Sequence, residues 1–391
     1  MKLRQASIPK KFFGDLLRSP DVLAGALRMA VRRRGTAQFD YVFRDGKSAP
    51  LSQIDLKLTN VCDLRCQMCG QWGEAGWHQS QPRAFLHQTL PLDTYCRMVD
   101  DVAPWRPWFF IYGGEPLLYH DVMPLVSYMK HKESLVTLVT NGGKLQQLSS
   151  EMVSSQIDIV MVSIDGPREI HDRVRGREGS FDRAVAGLKA VQEEKRRRNL
   201  TRPFTAVLVT INTHNTGELD KVFEVAEEAG VDGMIVYYAY FQTEESCSEH
   251  EAIMQSRLDT TPRSPRGFMW NHLAVNTAEL LETKRRIQAR SWSFAYVFAP
   301  ELAEADIPLF YQDHKRTFGY NRCVAPWLMI TVLANGDVAP CRDYPDYVVG
   351  NIGRDRLTEL WNGERLRAFR GALKEEGLFP ICRRCCGLMD W

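Results

Sequence analysis

Residues 52–69 read SQIDLKLTNVCDLRCQMC, a short strand-like run leading straight into three cysteines, Cys62, Cys66 and Cys69. The spacing C-x3-C-x2-C supplies three thiolates where a closed zinc or iron-sulfur site takes four. One metal position is therefore left without a protein ligand and is open to a small molecule, which means chemistry rather than scaffolding. A zinc ion completed by the nearby His78 is the weaker alternative, because zinc sites usually pair two C-x2–4-C units and no neighbouring motif completes one.

Outward from this stretch, β-branched runs alternate with longer amphipathic segments, the pattern of repeated βα units on a parallel sheet. Strands are expected over residues 54–58, 108–112, 135–140, 157–164, 204–211 and 233–238. Helices are expected over 92–102, 122–130, 145–154, 181–198 and 217–229. The fold class is thus α/β, a partial (β/α)6 TIM-like barrel. The first three strands end on Cys62, on Gly113-Gly114-Glu115-Pro116 and on Asn141-Gly142, and parallel barrels place their sites at such C-terminal strand ends.

The chain of 391 residues has room for a barrel and a smaller companion. We divide it into a basic amphipathic helical segment (1–49), the barrel (50–241), a partly helical connector (242–315) and a C-terminal domain (316–391). The connector has a polar run over 243–250 and a helical pattern over 271–290. In the C-terminal domain, Asn335-Gly336 between residues 328–333 and 338–340 reads as a hairpin with a type I′ turn.

A hydrophobic fraction of 44% and a charged fraction of 25% exclude a disordered or collagen-like chain. No apolar stretch reaches the ~18–20 residues of a bilayer span, and no signal peptide is evident. The expectation is a cytoplasmic protein whose ten cysteines serve metals rather than disulfides, with Cys96 and Cys247 as plain buried thiols. No nucleic-acid partner is expected.

The net charge of +2 conceals an asymmetry: residues 1–35 carry nine Lys or Arg against two acidic residues. Ser19-Pro20-Asp21 reads as a helix start, and Leu23, Leu27 and Val31 share one face up to Arg32-Arg33-Arg34. Docking on the barrel, with the cationic end suiting the helix dipole, is the preferred reading. Contact of residues 1–35 with an anionic membrane surface or an acidic partner is the other.

Cys62-Asp63-Leu64-Arg65-Cys66-Gln67-Met68-Cys69, then Tyr112-Gly113-Gly114-Glu115-Pro116, then Ser163-Ile164-Asp165-Gly166-Pro167 leading into His171-Asp172-Arg173-Val174-Arg175-Gly176 resemble the radical SAM superfamily over about residues 50–240. The resemblance implies that the three thiolates hold a [4Fe-4S] cluster whose fourth iron is chelated by S-adenosylmethionine. An electron from a low-potential donor such as flavodoxin or ferredoxin then releases a 5′-deoxyadenosyl radical that abstracts hydrogen from a substrate. It implies further that Met68, where the family more often has an aromatic residue, packs beside adenine, and that Gly113, Gly114, Glu115 and Pro116 meet the cofactor's amino group. Ser163 and Arg175 would face its carboxylate or ribose, with Arg173 a neighbour open to the same role. Asn212 and Tyr238 would border ribose and adenine. On the residues alone, a tight turn for the glycines and a strand-end cap for Ser163 are the preferred readings.

Cys323, Cys341, Cys382 and Cys385, with Cys386 adjacent, form a second group. With Cys323-Val324-Ala325-Pro326-Trp327, Asn335-Gly336-Asp337-Val338-Ala339-Pro340-Cys341, Gly350-Asn351-Ile352 and Leu360-Trp361-Asn362-Gly363, they resemble the SPASM and twitch family of auxiliary-cluster domains. The resemblance implies one auxiliary [4Fe-4S] cluster, with Cys385 or Cys386 as its last ligand, that can take an electron from a substrate radical. A zinc knuckle is the alternative. Relatives with both modules act on peptides, protein side chains, sugars and aminocyclitols. Only about 50 residues precede the barrel, too few for a fused peptide-binding domain. The expected substrate is therefore a sugar-like or other small biosynthetic intermediate, with a peptide as alternative and a non-catalytic electron carrier as the rival class. Tyr237-Tyr238-Ala239-Tyr240-Phe241 reads as strand packing or pocket wall, and Glu244, Arg342 and Asp343 as acid-base candidates.

Overall fold

In the computed structural model, residues 17, 19–385 and 387 are described. Six strands, β1 (Gln53–Lys57), β2 (Trp108–Tyr112), β3 (Leu135–Thr140), β4 (Ile159–Ser163), β5 (Phe204–Ile211) and β6 (Gly233–Tyr238), pair in succession, all parallel. Helices such as Leu92–Val102, Val122–His131, Ser180–Arg198 and Leu219–Ala229 form the crossovers. The strands follow the expected ranges closely because each is a short β-branched or aromatic run bounded by polar turns.

Two further parallel strands flank these six. Strand β7 (Ala295–Ala299) adds to β6, and β8 (Met329–Val332) adds to β1. Strands β9 (Asp337–Ala339) and β10 (Gly350–Asn351) continue antiparallel beyond β8, so the order is β10-β9-β8-β1-β2-β3-β4-β5-β6-β7 and the sheet is not closed. The stretch read as a connector thus contributes a barrel strand. Five residues, Ala-Tyr-Val-Phe-Ala, are too short a run to separate strand from buried loop by periodicity. Its polar run, too, is ordered as helix Glu244–Leu258, started by a reciprocal capping pair of Thr243 and Ser246.

The hairpin between β8 and β9 is present, but its turn is not type I′. That type needs positive φ at both central residues, whereas only Gly336 has it (φ 87°). Leu333 and Gly336 close a tight turn (Gly336 N to Leu333 O, 2.8 Å), and Leu333 N then bonds Asp337 O at 2.8 Å, a three-residue loop ending in a glycine bulge.

Side chains alternate along each strand between the helix layer and the barrel interior. On β4, Val160 and Val162 are fully buried in the core while Ile159 and Met161 face an interior cavity. On β6, Val236 and Tyr238 lie in the core while Ile235 and Tyr237 face that cavity. Each fully buried aliphatic side chain contributes roughly 1.5–3 kcal/mol.

The N-terminal ends of the strands are covered by helix Pro20–Val31. Its Val22 packs with Leu135 and Phe204, beside Trp108 and Ile159, the first residues of β3, β5, β2 and β4. Gly25 permits the approach, since a Cβ there would stand 2.1 Å from Leu135 Cδ1. Arg202 ties the helix down by pairing with both Asp21 and the buried Asp158, which Lys130 also reaches. Ser19 precedes the helix as expected, but its side chain makes no cap bond. Residues 1–16 and Arg18 of the basic segment lie outside the described residues.

His250 is fully buried against the rings of Tyr344 and Phe379, with neither ring nitrogen hydrogen-bonded. Burial pushes its pKa down to about 3. An unfolded histidine takes up a proton below about pH 6.5. Between 6.5 and 3 the unfolded chain therefore binds the extra proton, and stability falls as pH drops through that window, by up to about 1.4 kcal/mol per pH unit. Urea midpoints at pH 7.5 and 5.5 should differ less in His250→Phe than in the unsubstituted chain.

Candidate active site

The three motifs separated in sequence meet at the C-terminal ends of β1 to β4. The cysteine loop after β1 is held from two sides by backbone bonds. Gly114 N and Glu115 N donate to Thr59 O and Val61 O, both at 2.8 Å, while Arg65 N and Gln67 N donate to Arg175 O and Val174 O at 3.1 and 2.9 Å. Within the loop, Cys69 N donates to Cys66 O at 3.1 Å.

The glycines have a specific reason to be there. A Cβ on Gly113 would lie 2.8 Å from Thr59 O, and one on Gly114 2.1 Å from Val61 O. Their missing side chains let the turn close onto the cysteine loop itself. Pro116 then opens a single 3-10 turn, Pro116–Leu118.

Glu115 is buried and already engaged. Its Oε1 accepts from Thr140 Oγ1 (2.6 Å) and Leu117 N (3.1 Å), and its Oε2 accepts from Asn141 N (2.7 Å). Burial raises its pKa to about 7 against the pull of those donors. Most of its accepting capacity thus goes to joining the β2 and β3 ends.

Arg175 is half-buried, whereas Arg173 is exposed. Arg175 pairs with the fully buried Asp165 at 2.6 Å and reaches Cys66 Sγ at 3.7 Å. Burial opposes its charge, but Asp165 and Cys66 outweigh that and raise its pKa. Asp165 is in turn fixed by Thr210 N at 2.8 Å.

Burial pushes the Cys62 thiol up to about 12 and the Cys66 thiol to about 11. Such thiols are inert until a metal displaces their protons. Three half-buried sulfurs on one braced loop suit a cluster that takes three protein ligands. Among the described residues, no three His, Cys, Asp or Glu side chains are arranged to hold a single metal ion. His78, the candidate fourth zinc ligand, instead lies 3.3 Å from Lys57 Nζ, among Trp72, Trp77 and Phe85.

Beside the loop opens a cavity of about 720 Å³ whose wall includes Met68, Trp72, Val174, Asn212, His214 and Trp270. Met68 and Asn212 therefore share one space. Asn212 is held by its own turn, its Oδ1 accepting from His214 N at 2.9 Å. Ser163 falls in the same strand alternation as the interior-facing Ile159 and Met161. Tyr238 does not reach this space. It is fully buried in the helix layer against Phe310 and Phe298, because the period of two turns it away and brings Tyr237 inward.

The second cavity, about 570 Å³, lies inside the barrel. Its walls are largely apolar and aromatic: Trp108, Phe110, Met161, Ile235, Tyr237 and Phe268. Cys323, Cys341, Cys382 and Cys385 all line it, so the four cysteines stand around one space. The Cys385 and Cys341 thiols point to Asp343 Oδ2 at 3.4 and 3.8 Å, and Tyr344 Oη lies 3.3 Å from Cys382 Sγ. Cys386 lies outside the described residues. Of the outlying cysteines, Cys247 is buried, whereas Cys96 is only half-buried.

Among the acid-base candidates, Glu244 is exposed and paired with Arg266. Arg342 instead reaches back across the interior to Asp55, a fully buried carboxylate of β1, at 2.8 Å. Sequence reasoning gave no role to Asp55, Lys57, Asp63 or Asp165. Asp63 accepts from Asn141 Nδ2 and Arg177 Nη1, both at 2.8 Å, and so links the cysteine loop to the β3 end. The signal was present in β1, where polar Gln53, Asp55 and Lys57 alternate with apolar Ile54 and Leu56 although all are buried.

Comparison with known proteins accords with this arrangement. The family model of the radical SAM superfamily matches residues 56–232, and that of the SPASM iron-sulfur cluster-binding domain matches residues 323–386. An AdoMet-dependent heme synthase of Methanosarcina barkeri is 26% identical over 84% of this chain and 87% of its own. The sporulation killing factor maturation protein SkfB of Bacillus subtilis is 23% identical over 80% of this chain and 65% of its own. Among solved structures, Streptococcus suis SuiB bound to S-adenosylmethionine superposes with a TM-score of 0.58 at 14% identity, over 82% of this chain and 68% of that one.

Proposed function

We propose, from the premise that this chain is a radical SAM superfamily enzyme with a C-terminal SPASM iron-sulfur domain, that it oxidises or rearranges a small, largely apolar substrate held inside the barrel. The observation that carries this reading is the interior cavity, whose apolar wall is shared with all four described auxiliary cysteines. Cys62, Cys66 and Cys69 would hold a [4Fe-4S] cluster, and S-adenosylmethionine bound to it would supply the hydrogen-abstracting chemistry.

The chain's own groups position and insulate. Gly113 to Pro116 brace the loop that presents the sulfurs, Arg175 holds positive charge beside Cys66, and Met68 and Asn212 border the cofactor space. Ser163 lies on the interior side of β4. One auxiliary cluster on Cys323, Cys341, Cys382 and Cys385 would receive an electron from the substrate side, and a flavodoxin- or ferredoxin-like donor would deliver the first.

An apolar wall offers a sugar's hydroxyl groups few partners, which moves the preferred substrate from a sugar-like to a more apolar body. The maturation activity named for SkfB keeps a peptide as the second reading. Anaerobic incubation with S-adenosylmethionine and dithionite should yield 5′-deoxyadenosine; none would sink the proposal. Met161→Trp should fill the interior and weaken binding of an apolar fluorescent probe by roughly tenfold, about 1.4 kcal/mol, leaving that cleavage intact. Equal probe binding would place the substrate elsewhere.

A further inference from the structure

Seven of the eight large apolar side chains that stand exposed among the described residues lie between Leu17 and Phe43. A helix that packs on a domain turns its apolar stripe inward. Helix Pro20–Val31 does the reverse. Val22 (4% exposed) and Gly25 meet the strand ends, while Leu27 (64%) and Val31 (59%) face outward together with Leu23. The docked-helix reading is therefore half right: the helix docks, but through its other side.

The helical backbone runs on through a π turn, Arg32–Thr36, into helix Ala37–Phe43. The extra residue that a π turn takes up returns Phe39, Val42 and Phe43 to the side of Leu27 and Val31. All three are exposed, and the rings of Phe39 and Phe43 stand 4.9 Å apart. Arg28, Arg34 and Arg44 are exposed along this ridge. Three carboxylates nearby are engaged: Asp21 pairs with Arg202, the buried Asp40 accepts from Ser48 and pairs with Arg44 at 3.5 Å, and Asp45 pairs with Arg367 at 3.6 Å, while Arg28 donates to the neutral Arg106 carbonyl and Arg34 is exposed.

We infer that this outer face seats the N-terminal end of the barrel on an anionic membrane surface, with the apolar ridge at the acyl boundary and the arginines among the lipid phosphates. The seat is interfacial, since no helix among the described residues is long and apolar enough to cross a bilayer. Charge decides between the possible occupants. A second copy would set one arginine cluster against another, whereas an anionic surface accepts them. On the inner side of the same segment, Met29 and Arg33 border the interior cavity, which therefore lies one helix thickness from the lipid. The inference does not depend on what that cavity holds.

The test is co-sedimentation of the full chain with vesicles of phosphatidylcholine alone or with about 30 mol% phosphatidylserine. Binding should favour the anionic vesicles, weaken with salt, and fall roughly tenfold or more in the double variant Leu27→Glu/Phe43→Glu. Both positions are solvent-exposed, so an unchanged thermal midpoint is expected to show that the variant folds. Three results would each overturn the inference: no binding to anionic vesicles, undiminished binding of the double variant, or a lipid-free dimer that the double variant abolishes.

Discussion

Cys66→Ala is expected to reduce 5′-deoxyadenosine formation by roughly 10³-fold or more, over 4 kcal/mol of barrier. Cys66 is the middle of the three thiols and the one that Arg175 approaches, at 3.7 Å. The loop around it is held by backbone bonds to residues 114–115 and 174–175, not by its sulfur. The substitution therefore removes one cluster ligand while leaving the scaffold standing, and ligands that act as a set fail together. Iron content should fall to what the auxiliary group alone retains, with thermal stability before metal loading unchanged. Cys96→Ala, on helix Leu92–Val102 away from both groups, should match the unsubstituted enzyme. Cleavage that survives in Cys66→Ala would remove the cysteine loop from the chemistry.

The second large effect concerns stability. Arg342→Met should cost about 3 kcal/mol, because it strands the fully buried Asp55 carboxylate without its counter-charge. Burial already raises the pKa of Asp55, and the Arg342 guanidinium is the strongest influence drawing it back. Gln53 Nε2 still donates to Asp55 at 2.7 Å, which places the cost at the lower end of the range for a broken buried pair. The substitution also removes the guanidinium from above the Phe110 ring, 5.0 Å away. Adding Asp55→Asn should recover part of the loss, since a neutral amide needs no counter-charge. Urea unfolding of the two single variants and the double variant closes the cycle. Losses that simply add would mean that the pair carries no coupling.

The strands β1 to β6 and the cysteine motif were legible because local signals decide them: β-branched runs of five to eight residues, punctuated by turns, and ligand spacing within one loop. Other features depended on neighbours that a linear reading does not contain. Strand β7 is a strand because β6 offers it an edge. The resemblance implies Tyr238 beside ribose and adenine, whereas one step of the pleat turns it into the core beside Phe310. Leu23, Leu27 and Val31 declared an amphipathic helix, but not which side would meet the barrel.

By itself the amino-acid order determined the kind of chemistry, since three thiolates in C-x3-C-x2-C beside a glycine turn constrain coordination wherever the loop lies. Only the tertiary structure decided what surrounds that chemistry. It put Cys323, Cys341, Cys382 and Cys385 around an apolar interior, joined Arg342 to Asp55 across a separation of 287 residues, and turned an apolar ridge outward. Those outcomes follow from long-range packing: which face is buried depends on the partner surface it meets, and that surface exists only once the sheet has formed.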